Sequence, residues 1–193
     1  EALVNAFYRE LGFTVPLTTF DASDGNIYVE IAPGTFDFSK KLSDPEWVAE
    51  LRKGFATDAW LANWDVVGEG SDSQRNVITG TDGKPVRIDG GGGLLFRAQG
   101  GVKGKDFGET VGELTTFHQY GASAVYGKAQ GQAWEAESAH AVVDLSDEKI
   151  EKLVADFGFD KSLSDTLIAR KNYIANHYNI EAGQPTKAEL EAT

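Results

Sequence analysis

Four consecutive glycines, Gly90–Gly93, follow directly on a short apolar run that ends in Asp89. Neither a helix nor a strand interior suits such a run, because glycine gives up more backbone freedom on ordering than any other residue. The chain must bend there, and the sequence differs on the two sides. Upstream, short β-branched runs alternate with turn residues. Downstream, from about Thr115 to Tyr178, the segments are helical in character. The expected fold class is α+β, with strands first, a hairpin in the middle and helices last.

Local signals give this outline its elements. Leu3, Val4, Phe7, Tyr8 and Leu11 predict a helix over Glu1–Leu11 that stops at Gly12. Pro16 keeps Val15 extended. Leu17–Asp21 and Asn26–Ala32 read as strands around a turn at Ala22–Asn26, and Pro33-Gly34 ends the second. Pro45, behind Ser43 and Asp44, marks a helix start within Lys40–Ala49. Leu51–Asn63 reads as another helix. Asn76–Thr79 and Pro85–Asp89 flank Gly80-Thr81-Asp82-Gly83, the pattern of a β-hairpin. Ser146 precedes Ile150, Leu153, Val154 and Phe157, and Ser162–Tyr178 carries Leu163, Leu167, Ile168 and Ile174. The residues after Gly183 form a polar tail.

Composition narrows the function classes. The formal net charge is −12 and the longest basic run is Lys40-Lys41, so no phosphate-neutralising surface for nucleic acid is expected. No run approaches the roughly 18 apolar residues of a membrane span. Cysteine is absent, which removes disulfides and thiolate metal sites. Methionine is absent too, even at position 1. Processing would explain this, but the reading adopted is a fragment of a longer chain. The first residues lack the charged start, apolar run and cleavage site of a signal peptide, and a cytoplasmic or virion-associated location is expected.

The chemistry-bearing stretch is Ala59–Ala98. Asp65 follows a helix and opens a loop, Asn76 opens the first hairpin strand, and Asp89 closes the second. Taken singly, Asp65 reads as a cap and Asn76 as a turn former. Their order suggests phosphoryl transfer, which needs charge neutralised on the phosphate and a nucleophile held in line. Magnesium takes oxygen ligands, usually one or two of them carboxylates. Asn76 and Asp89 would supply such ligands, Asp65 would accept a hydroxyl proton, and the glycines would let phosphates approach the backbone. The three histidines, His118, His140 and His177, have no metal-ligand spacing. Trp60 and Trp64 read as core, and Arg97, Lys103 and Lys105 as solvated loop charges.

Asn63-Trp64-Asp65, Asn76 and Ile88-Asp89-Gly90 resemble the catalytic and metal-binding motifs of the phosphoinositide-kinase and HipA-like group of atypical kinases. The runs at residues 1–12, 58–68 and 87–100 are similar to kinase-like domains of bacterial and bacteriophage proteins, some from phage head-assembly operons. The resemblance covers Glu1 to about Tyr178. It implies an ATP- and magnesium-dependent phosphotransferase acting on a protein or small-molecule hydroxyl. The fold implied is protein-kinase-like: the remnant of a β-rich N-terminal lobe and hinge over 1–34, a mainly helical catalytic lobe over 35–180, and the tail over 181–193. Asp65 and Asn63 would be catalytic. Asn76 and Asp89 would hold metal, with Asp72 the alternative to Asn76 because residues 68–74 look like an insertion. Glu1 would pair with an upstream lysine, Glu30 and Ile31 would border adenine, and Gly90 and Gly91 would face the nucleotide. A catalytically silent kinase-like component of a phage virion, with head proteins as partners, is the other function implied. The phosphate-covering loop would lie upstream of Glu1.

Overall fold

The computed structural model describes residues 1–186 other than 22, 69 and 70, together with residue 190. The expectations for Ala22 in the first turn, for Glu69 and Gly70 after Asp65 and for most of the tail beyond residue 186 lie outside the described residues.

The fold is α+β and mainly helical. In chain order come α1 (Ala2–Glu10), β1 (Thr18–Asp21), β2 (Asn26–Val29), β3 (Gly34–Thr35), α2 (Phe38–Lys41), α3 (Pro45–Arg52) and α4 (Phe55–Trp60). Then follow β4 (Val77–Gly80), β5 (Pro85–Arg87), α5 (Glu113–Thr116), α6 (Ser123–Tyr126), α7 (Ala133–Asp144), α8 (Asp147–Asp156) and α9 (Lys161–Tyr178). One apolar core extends from Leu3 to Ile180 and draws on helices throughout the chain.

Helix α1 is buried on every side from Ala2 to Tyr8. Its Phe7 meets Trp60 edge-on at 4.9 Å between ring centroids. The helix stops where expected. Gly12 takes φ +85°, the Gly12 amide donates to the Arg9 carbonyl at 3.0 Å and the Phe13 amide to Tyr8 at 2.8 Å, which is a Schellman ending. The Asp44 carboxylate accepts from the Trp47 amide at the start of α3, and the Ser146 hydroxyl accepts from the Lys149 amide at the start of α8.

Both expected hairpins are present. β1 and β2 pair antiparallel from Thr18 opposite Val29 to Asp21 opposite Asn26. β4 and β5 pair with Val77 opposite Arg87, and β3 adds a third strand through Gly34 opposite Gly80. Two corrections follow. The second strand ends at Val29 rather than Ala32, and Gly34, read as a strand end, begins the new pairing that joins residues 34–35 to the β4–β5 hairpin.

The helix expected over Leu51–Asn63 is broken at Lys53-Gly54, and the cause lies in β5. Arg87 Nη2 donates to the Leu51 carbonyl at 3.0 Å, and the same carbonyl accepts from the Gly54 amide at 3.2 Å in the tightened last turn of α3. The guanidinium fills the place of a side chain at 54: a Cβ there would come within 1.9 Å of Arg87 Nη2.

Candidate functional site

The open end of the β4–β5 hairpin carries Asn76 and Asp89. The Ile88 amide donates to the Asn76 carbonyl at 2.8 Å, so Asn76 lies opposite Ile88 and Asp89 follows one residue beyond that pair. Asp89 takes φ +50°, a left-handed conformation that turns the chain out of the strand into a 3-10 turn over Gly90–Gly92. Among the described residues its exposed carboxylate accepts only from the Gly91 amide, at 3.4 Å. Among the described residues the half-buried Asn76 side chain has no hydrogen-bond partner.

The glycines are held chiefly by protein contacts. A Cβ on Gly90 would lie 2.8 Å from Asn5 Oδ1 and 2.9 Å from Val4 Cγ1, and one on Gly93 would lie 2.8 Å from Val4 Cγ2. One on Gly92 would lie 2.5 Å from Asp65 Oδ2. The turn is therefore wedged between α1 and the Asp65 loop. Gly90 is buried against α1, whereas Gly91 lines a cavity of about 200 Å³ with Glu1, Leu3, Phe96 and Phe159.

Asp65 is half-buried, and among the described residues its carboxylate has no hydrogen-bond partner. Asn63 lies beneath it, 2% exposed, and donates to the Tyr8 hydroxyl at 3.1 Å. Its amide nitrogen thereby anchors the loop to α1, while its buried Oδ1 has no hydrogen-bond partner among the described residues. Tyr8 belongs to a buried hub around Asp58. That carboxylate accepts from Tyr8 Oη (2.7 Å), Arg87 Nε (2.8 Å), Arg87 Nη2 (2.9 Å) and Tyr126 Oη (2.5 Å). Burial opposes the Arg87 charge, but Asp58 outweighs it and raises the guanidinium pKa. Burial and then the Asp58 charge push both tyrosine hydroxyls well up.

Asp72, the alternative metal ligand, is committed elsewhere. Its Oδ1 accepts from the Ser39 hydroxyl (2.5 Å) and amide (3.0 Å) at the start of α2, and these bonds lower its pKa. Glu1 is exposed, yet partial desolvation and then the nearby Asp89 carboxylate raise its pKa. Glu30 and Ile31 are exposed, and the Glu30 amide is already bonded to the Leu17 carbonyl at 2.8 Å. Glu30 lines a cavity with Pro16, Pro33 and Asp82, separate from the one beside Gly91.

Comparison with protein-family models, curated proteins and solved structures returns no match. The reading of the site therefore stands on its geometry.

The sequence missed two buried cations around this site. Lys103, read as a solvated charge, is 3% exposed, while Arg97 and Lys105 are exposed as expected. A small turn closed by Phe96 opposite Val102 carries Lys103 back to the glycine turn. Arg170 is fully buried and donates to the carbonyls of Ala59, Trp60, Gly108 and Thr110 and to Glu113. Glu113 also accepts from Trp64 Nε1 at 2.9 Å, so Trp64 is a partly buried bridge while Trp60 is core. His118 is buried and bonded through Nδ1 to the Gly127 carbonyl at 2.9 Å, a packing role.

Among the described residues no group of three or more His, Cys, Asp or Glu side chains forms a metal cage. Magnesium in nucleotide sites takes one or two protein carboxylates and completes its shell with phosphates and water. Asp89 with Asn76 fits that pattern. No described helix is long and apolar enough to cross a membrane.

Proposed function

We propose that this chain is the catalytic part of a kinase-like phosphotransferase that uses ATP and magnesium and transfers a phosphoryl group to a protein or small-molecule hydroxyl. The observation that supports this most is the convergence at one end of the β4–β5 hairpin. Asn76 and Asp89 leave it on adjacent strands, and the turn that follows Asp89 runs against Asp65. Asp89 and Asn76 would hold the magnesium, which neutralises charge on the phosphates when bound. Asp65, a half-buried carboxylate with no hydrogen-bond partner among the described residues, accepts the proton of the acceptor hydroxyl as its oxygen attacks. Gly91 leaves the approach to the phosphates open.

Two variants separate these roles. Asp65→Ala should lower phosphate transfer about 10²–10⁴-fold and leave nucleotide binding nearly intact. Asp89→Asn should weaken magnesium-dependent ATP binding in titration calorimetry. Equal loss of binding in both would remove Asp65 from the proton-accepting role. Binding without transfer by the unaltered protein, over a range of hydroxyl acceptors, would favour the silent structural component.

A further inference from the structure

We infer that Lys103 is a positioning residue: its ammonium ties the Ala62, Gly92 and Leu94 carbonyls together and so sets the Asp65 carboxylate against the glycine turn. Lys103 Nζ donates to Ala62 O at 2.6 Å, Gly92 O at 2.7 Å and Leu94 O at 3.0 Å. An ammonium has three N–H donors, and all three are used. Two of the carbonyls belong to strained residues. Ala62 (φ +49°) and Leu94 (φ +54°) adopt the left-handed conformation that side chains disfavour, and such residues persist only where their surroundings over-determine them.

These two residues bracket the site. Ala62 stands three positions before Asp65, and Leu94 ends the glycine run. The Leu94 amide also donates to the Leu61 carbonyl at 2.7 Å, so the strands of this knot are joined twice. A Cβ on Gly92, the middle acceptor, would lie 2.5 Å from Asp65 Oδ2. Moving any of the three carbonyls moves Asp65 relative to the turn. The Trp64 ring lies beneath the ammonium, 4.6 Å from its centroid, with Arg97 4.9 Å from the same ring.

The charges facing Lys103 oppose one another. Glu113 and Asp65 favour its protonated form, while Arg170 and Arg97 disfavour it. Burial dominates and lowers the pKa to about 8. Below that pH the amine is charged and bonds all three carbonyls. Above it the neutral amine has two N–H groups, and one carbonyl loses its partner.

The clamp stands on geometry alone, and its catalytic consequence rests on the phosphotransfer reading; two readouts keep them apart. The first is Trp64 fluorescence of the full chain between pH 6 and 10, with Trp64→Phe to identify its signal. An inflection near pH 8 that Lys103→Met abolishes is expected. The second is kinetic. Lys103→Met should lower kcat about 10²-fold, the effect of misplacing a reacting group, with less than about a threefold change in nucleotide affinity, which is under about 0.7 kcal/mol. Lys103→Arg, which does not titrate, should recover part of kcat and remove the alkaline fall in rate. A folded Lys103→Met with unchanged Trp64 emission and unchanged kcat overturns the proposal. Should that variant not fold, a folded Lys103→Gln whose Trp64 emission and kcat both match the unaltered protein overturns it. If the unaltered protein transfers no phosphate, the phosphotransfer reading fails, and Trp64 emission of the Lys103 variants still decides the clamp.

Discussion

The two β-hairpins are built alike and held differently. Both are antiparallel pairs of three or four residues per strand. β4–β5 is buried at every strand residue except the half-buried Gly80, with Val77 fully enclosed. Arg87 ties it to α4 through Asp58, and Thr79 donates to Asp37 at 2.6 Å. In β2 every residue is exposed, Tyr28 by 55%. The β1–β2 pair is attached mainly near its base, where Asn5 Nδ2 donates to Thr18 Oγ1 at 2.6 Å, and its turn is closed by its own side chains. Two strands alone are marginal in water. What separates the hairpins is anchoring to the helices, and the candidate metal ligands belong to the anchored one.

The strongest way to break this contrast is to remove the anchor. Asp58→Asn leaves the buried Arg87 guanidinium without its counter-charge, and breaking a buried ion pair in this way costs about 3–5 kcal/mol. Urea unfolding measures it. A loss under about 1 kcal/mol would mean that apolar packing alone holds β4–β5.

A matched pair of substitutions tests burial directly. Val77→Thr places a hydroxyl where no water reaches and should cost about 1–3 kcal/mol. Val29→Thr makes the same change on the exposed strand and should stay within about 0.5 kcal/mol. Similar losses at both positions would show that β2 is covered in solution.

Why the strands were legible and the anchors were not follows from the range of each signal. Helix α1, both hairpins and the caps at Asp44 and Ser146 rest on neighbours within a few residues. Asp58 and Arg87 are 29 residues apart, and Lys103 and Ala62 are 41. No local period announces such contacts. One trace existed: Arg87 stands between Val86 and Ile88 in a short apolar strand, and Asp58 stands among Ala and Trp in a helix, each a charge at an apolar position. Read together, they ask for a buried partner. Lys103 left no trace, because its loop is rich in glycine and lysine. The positions of Asp65, Asn76 and Asp89 beside element ends were legible, because turn and strand signals are local. The burial of Asn63 and Gly90 was not.

Gly92 sharpens the link from the anchored hairpin to chemistry. A methyl group there meets the end of the Asp65 side chain, which can swing away. Gly92→Ala should therefore cost only about 1 kcal/mol in stability, at the low end of overpacking. Transfer should fall about 10²-fold because Asp65 is displaced. Nucleotide binding should persist. Unaltered turnover would place Asp65 outside the reaction.

The smallest expected effect lies in the turn of the exposed hairpin. Asp21 accepts from the Ser23 hydroxyl and amide, and Asp24 accepts from the Asn26 amide and the Tyr28 hydroxyl. These bonds hold both carboxyls below their ordinary pKa. A carboxyl whose pKa is depressed by folding adds stability that is present above its unfolded value, about 3.9, and lost as the pH falls through the folded value. Acid should therefore loosen β1–β2 specifically. Both groups stand in solvent, where screening keeps the effect small, so a global melt will not resolve it. Amide hydrogen exchange at residues 26–29 and 77–80, followed from pH 5 down to about 2 and corrected for intrinsic rates, will. Protection in β2 should fall first. The double variant Asp21→Asn, Asp24→Asn should lose that pH dependence, since neither amide titrates. If both hairpins lose protection together at every pH, β1–β2 does not open separately, and the difference in burial between the two has no counterpart in local stability.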